Sequence, residues 1–403
     1  MLTMMRDAQN RLRQGLGFAF SALLIACSCS VSSPASPASL AWRAHLQGAV
    51  DGTPAIADGR VIAGSAGREL GAFDERTGRR IWVRGGLGAI SDSPTVDAGR
   101  VFVGTLSGHL LAFAAADGTR LWDWTGPPDA ALWSSPVVHR DLVIIGVASP
   151  FGDQPLVAGK LVGIEAQTGR LRWTLCLLRG CVPGDGVWST AAIDASGVAF
   201  AGVGNPDDAL VAFDPLTGTR KWQTSLYADN QRDLDVGAKP VIVSARGGEL
   251  VEVGSNGGTF FALNAADGKV VWSRKLVEGA PVHGLIASPA YDGVNVYAPS
   301  ASLPYGLFAL NASTGDAAWR HATDLPVYSA PAVANGVVVF GTGAVFGDKK
   351  AGLLIALSTA DGRELWRYDA RSAVRSGPAI AGDMVFAGDY AGDVIALRVS
   401  SIS

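Results

Sequence analysis

Four aspartates fall in two short stretches that could carry chemistry. Asp207 and Asp208 follow Asn205-Pro206, and Asp233 and Asp235 precede Gly237-Ala238. Carboxylates and amides are the oxygen donors that a hard divalent cation takes, and an aspartate beside an alcohol can remove its proton. Plainer uses stand beside these. Asn205, between Gly204 and Pro206, suits a turn, and Asp235 suits a solvated loop. The four acids form either an acidic patch or a set of separately solvated charges. Trp188 lies outside the regular run of tryptophans described below, and its indole either packs or offers a flat apolar plane. The five histidines are scattered and make no triad or metal set, although His283 falls in a loop. Cys176 and Cys181 bracket four residues, a spacing that admits a local disulfide in an oxidising compartment and matches no zinc ligand set. No CxxCH haem motif is present, so any electrons would leave through another protein.

The elements that must position these residues repeat. Gly258–Trp272 reads strand, tight turn, strand: β-branched and aromatic residues, then Asn264-Ala265-Ala266-Asp267-Gly268, then Val270-Val271-Trp272. Such a hairpin is marginal alone and must bury its apolar face on copies of itself. Six further copies end at Trp82, Trp122, Trp173, Trp222, Trp319 and Trp366, each with a glycine four residues earlier. The spacing, roughly 40–51 residues, is close to that of a four-stranded propeller blade. An eighth copy is split: the C-terminal Asp393-Val-Ile-Ala-Leu strand lacks its tryptophan, and Leu40-Ala41-Trp42 begins with one. The expected fold is therefore all-β: an eight-bladed β-propeller of four-stranded antiparallel blades, closed by pairing the N- and C-terminal strands. The eight tryptophans are read as packing between blades, each N–H needing one acceptor.

Most units carry an entry hairpin before the repeat, such as Thr53–Ser65 and Ser93–Thr105. Insertions at 148–158, 174–186, 227–236 and 276–285 place the expected functional rim on blades 3 to 6. A small-molecule or protein partner is expected there. Net charge is −3 with no basic block, which argues against nucleic acid.

The N-terminus reads as three segments. Residues 1–26 have a basic start and a short apolar run, a signal peptide rather than a permanent span. Leu24-Ile25-Ala26-Cys27 resembles a bacterial lipobox, so Cys27 is the expected lipidation site, with a cleaved soluble product as the alternative. Residues 27–39 read as a flexible tether and 40–403 as a single propeller domain. The implied place is the cell envelope, with the membrane contacted through the lipid alone.

The repeat, of the form A-x-[DN]-x-x-[TD]-G-x-x-x-W, resembles the quinoprotein alcohol dehydrogenase-like propellers. That superfamily includes PQQ-dependent dehydrogenases and the propeller lipoprotein of the outer-membrane β-barrel assembly machinery. Gly186–Asn205 and Asp233–Pro240 resemble the midsection of the polyvinyl-alcohol dehydrogenase type. By that resemblance Trp188 is the floor under the quinone, Asn205 and Asp235 ligate calcium, and Asp235 is the catalytic base. PQQ and calcium are then the implied cofactors. The chain departs from the pattern at Gln154, where the family has a calcium-binding glutamate, and at Ser255, where it has a basic residue. It also lacks an adjacent cysteine pair. These lost charges favour a binding or scaffold module over an enzyme.

Overall fold

The computed structural model describes residues 38–227 and 234–400. Eight separate four-stranded antiparallel sheets follow one another along the chain. We number the blades 1 to 7 by their strands: 55–84, 95–125, 137–176, 192–225, 241–275, 290–322 and 332–369. Blade 8 takes three strands from 379–398 and its outermost strand from Ser39–His45. Closure by the two ends is as expected: Leu40 pairs with Leu397 and His45 with Asp393. The segments expected to form the signal peptide and tether, with Cys27, lie outside the described residues, apart from Ala38 and Ser39. No helix among the described residues is long and apolar enough to cross a membrane.

Packing explains the spacing of glycine and tryptophan. Each blade's tryptophan is turned towards the next blade. Trp82 Nε1 donates to Ala115 O at 3.0 Å, Trp173 to Pro215 O at 3.1 Å and Trp319 to Thr359 O at 2.9 Å. The acceptor sits in the turn between the third and outermost strands of the neighbour. The turn's glycine is the seat for that indole. Gly218 has φ +70°, and a Cβ there would stand 2.5 Å from the Trp173 ring. The glycine is therefore required twice over, by backbone conformation and by contact. Trp366 is the exception. Its neighbour, blade 8, is broken between these two strands and has no such turn, and the buried Trp366 N–H has no acceptor among the described residues.

Apolar side chains of the second and third strands fill each seam between blades, as with Ile62, Leu70, Val101 and Val103 between blades 1 and 2. The first strands of most neighbouring blades lie against each other and ring the axis. Segments leading into the first strands, and loops joining second to third strands, share one face. The insertions at 148–158, 174–186 and 276–285, and the described residues of 227–236, belong to that face.

Candidate functional site

The three residues singled out by resemblance meet. Trp188 Nε1 donates to Asp235 Oδ2 at 2.8 Å, and the backbone N–H of Asn205 donates to Asp235 Oδ1 at 2.9 Å. Trp188 precedes the first strand of blade 4, Asn205 lies in the second-to-third-strand loop of the same blade, and Asp235 precedes blade 5. The indole lies on Gly237, where a Cβ would fall 1.8 Å from its ring. Only glycine admits that approach. The Asp235 carbonyl also accepts from Asn256 N–H at 2.9 Å. Asp235 therefore ties two blades together.

Counting back from the first strand of each blade places Trp188 in a set of eight. Asp51, Ser91, Trp133, Trp188, Gly237, Ile286, Tyr328 and Arg375 occupy one position in the eight repeats. They surround the mouth of the axial channel. Arg375 pairs with Asp51 across the closure at 2.6 Å, and Trp133 Nε1 donates to Ser149 O at 2.9 Å. Tyr328 OH lies 2.9 Å from His283 Nδ1. His283 thus belongs to the rim as a partner of Tyr328, with Phe346 against its ring.

Of the four acids, Asp207 and Asp208 gather around a residue the sequence reading passed over. Asp185 is fully buried, and its Oδ1 accepts the Asp207 N–H at 3.1 Å. Burial above all, with the charges of Asp207 and Asp208, pushes its carboxyl up to about 7. Asp233 lies outside the described residues. The motif Gly184-Asp185-Gly186 was the available signal, since two glycines let the backbone bring an acid into a crowded turn.

A calcium site needs six to eight oxygens. Here Asn205 Oδ1 is buried without a hydrogen-bond partner and offers one. Both oxygens of Asp235 already accept N–H groups, and Gln154 is exposed in the 148–158 loop. Ser255 is buried, donates to Thr259 O at 2.9 Å and accepts from Tyr227 OH at 2.6 Å. No group of three or more His, Cys, Asp or Glu among the described residues is arranged for a metal ion. This donor set does not fit calcium, and the anchoring charge for a tricarboxylate quinone is missing at Ser255. Elsewhere on the same face Cys176 and Cys181 are joined in a disulfide, with Cα atoms 5.2 Å apart.

A family model described as outer membrane protein assembly factor BamB matches residues 36–180, 206–322 and 282–401. The polyvinylalcohol dehydrogenase of Sphingopyxis sp. (strain 113P3) is 29% identical over 208 residues, 48% of this chain and 27% of that protein. The outer membrane protein assembly factor BamB of Yersinia pestis is 35% identical over 138 residues, 32% of this chain and 33% of that protein. The matched stretches thus span about a third or less of these relatives' own lengths. Among solved structures, a quinohemoprotein alcohol dehydrogenase from Pseudomonas putida HK5 superposes with TM-score 0.77 at 18% identity, covering 91% of this chain and 76% of that one. At that identity the likeness speaks for the fold.

Proposed function

The chain belongs to the PQQ-like propeller family described as outer membrane protein assembly factor BamB, and from that premise we propose that it is a lipid-anchored binding module of the cell envelope. Its anchor in this reading is Cys27, and its working surface is the loop face of blades 3 to 6. One observation carries the reading: the charged anchors a quinone and its metal would need are absent, with neutral Ser255 bonded to Thr259 and Tyr227 and Gln154 exposed in its loop. A general base must be within reach of a substrate proton and have a lone pair to receive it. Each Asp235 oxygen here accepts an indole or backbone N–H, which fixes the carboxylate's orientation between two blades, although a carboxylate oxygen has a second acceptor site. Large apolar side chains left exposed on the same face, Phe151, Leu156 and Phe346, are suited to a protein partner. An outer-membrane assembly complex is the kind of partner the family suggests.

A second reading, a PQQ- and calcium-dependent alcohol dehydrogenase, draws on the convergence of Trp188, Asn205 and Asp235. The two separate experimentally. The purified chain is mixed with PQQ and Ca²⁺ and assayed for dye-linked alcohol oxidation. The binding-module reading expects no turnover, and capture of an envelope protein by the intact chain. Turnover that vanishes in Asp235→Asn would replace it with the enzyme. Mass spectrometry of the mature protein is expected to find acyl chains on Cys27.

A further inference from the structure

A second register position around the axis carries one charge where seven small residues stand elsewhere. The residues two places before each first strand are Thr53, Ser93, Ser135, Thr190, Lys239, Ser288, Ala330 and Gly377. Several of the small residues join blade to blade. Thr53 N–H donates to Ser93 Oγ at 2.9 Å, Ser93 N–H to Ser135 Oγ at 3.0 Å and Ser135 N–H to Thr190 Oγ1 at 2.9 Å. Lys239 keeps the backbone half of this pattern, donating to Ser288 Oγ at 3.0 Å, but has no hydroxyl to offer in return. A long cationic side chain thus replaces a structural hydroxyl.

The first strands of blades 3, 4, 5 and 6 bound a cavity of about 580 Å³, and Lys239 is part of its wall. That volume is in the range of small-molecule sites. Most of the wall is aliphatic, with Val137, Ile193 and Ile242 among its members. The carboxylate in it, Asp194, accepts Val198 N–H and Ser196 O–H on Oδ1, both at 2.8 Å, and makes no ion pair with Lys239. Tyr291, also in the wall, donates its hydroxyl to Gly293 O at 2.8 Å. Among the described residues no carboxylate forms an ion pair with Lys239. Water reaches the lysine through the channel, but the surrounding protein withholds solvation and lowers its pKa. An ammonium so placed lacks a counter-charge, and an anion entering the channel would supply one.

We propose that Lys239 makes the channel between blades 3 and 6 a binding site for a small anion bearing a carboxylate or phosphate group. The site lies two residues along the chain from Gly237, on which the Trp188 indole rests, and its wall runs on along the first strands to His139 and Asp194. It makes no use of Asp235 and is independent of whether the protein is an enzyme.

The test is titration calorimetry of the full chain with succinate and, separately, inorganic phosphate, against chloride at matched ionic strength. Lys239→Ser installs the residue that blades 2, 3 and 6 use and should fold, which circular dichroism checks. Lys239→Arg keeps the charge. Succinate or phosphate should bind wild type and Lys239→Arg, and bind Lys239→Ser about ten- to a hundredfold more weakly, as expected for one charge-assisted contact. The same anion should slow acetylation of Lys239 in the wild-type protein, read by peptide mass spectrometry. Binding by succinate alone assigns the carboxylate class, and by phosphate alone the phosphate class. If neither anion binds wild type above the chloride control, or if Lys239→Ser binds as well as wild type, the proposal is overturned.

Discussion

Replacing Glu252 should change the pH dependence of stability strongly. Glu252 is fully buried in the second strand of blade 5, and neither carboxyl oxygen has a hydrogen-bond partner. Its counterparts two residues before the end-of-strand glycine are Ile62, Phe102, Ile144, Phe200, Val339 and Phe386, all apolar. Burial pushes its pKa from 4.5 up to about 9, so the folded protein holds a neutral acid at pH 7. The unfolded chain ionises near 4.5. Between those values folding binds one extra proton, and stability falls as pH rises. The slope is about 1.4 kcal/mol per pH unit, which gives about 3 kcal/mol lost by pH 7 and about 6 by pH 9. Below the unfolded value the loss vanishes, and above the folded one it is complete. Glu252→Gln cannot ionise, and Glu252→Val restores the residue type of blade 7. Urea unfolding of wild type and both variants from pH 5 to 9 isolates the effect. Asp185 also titrates with a raised pKa, but it is common to all three proteins and cancels in the difference. Wild type should lose stability relative to either variant by more than 1 kcal/mol per unit across pH 5 to 8. Parallel curves would show that Glu252 ionises without penalty and would refute the reasoning.

Four further outcomes follow from the packing and the disulfide. Gly218→Ala places a Cβ 2.5 Å from the Trp173 ring at φ +70° and should cost about 2–4 kcal/mol in denaturant unfolding. Gly59→Ala, at φ +71° with open space around it, should cost only about 1–2 kcal/mol by the same measurement. Trp173→Phe should destabilise more than Trp366→Phe by about 1 kcal/mol, because only the first loses an accepted N–H bond. The short Cys176–Cys181 loop should leave no free thiol at either position, and its reduction should cost about 2 kcal/mol by loop-closure entropy, read as a fall in Tm on adding reductant.

The propeller was legible because its repeat obeys a local rule. A glycine four residues before a tryptophan marks both the turn that seats the preceding blade's indole and the strand that carries its own. The split eighth copy was legible for the same reason, since Trp42 had no glycine upstream and the last strand no tryptophan downstream. Contacts between blades were not legible in this way. Trp188 and Asp235 are 47 residues apart, and nothing in either segment states that an indole N–H meets a carboxylate. The family resemblance named both residues and assigned them chemistry, but not the hydrogen bonds that occupy them. Asp185 escaped notice because a lone aspartate between glycines reads as a turn. Lys239 and Glu252 escaped because each is ordinary in its own segment and odd only against its counterparts in other blades, once the registers are aligned.

That kind of oddity is unevenly distributed, and its placement is informative. Gly237, Lys239 and Glu252 all belong to blade 5 and its entry segment. At each position another blade shows a residue that would satisfy the repeat: Trp133 at the mouth, Ser288 in the hydroxyl ring, Phe200 in the seam. A repeat that tolerates drift would scatter its exceptions, because each blade contacts only its neighbours. Exceptions do stand elsewhere, such as the buried Asp92 before blade 2, but these three fall on one side of the channel. Gly237 admits the Trp188 indole at the mouth, Lys239 puts a charge two residues further on, and Glu252 introduces an acid near Tyr291 of the wall. A buried acid without a partner is a cost that packing alone would remove. Its presence near the same channel wall that carries the lone lysine argues that blade 5 departs from the packing rule on the side where the anion is proposed to bind.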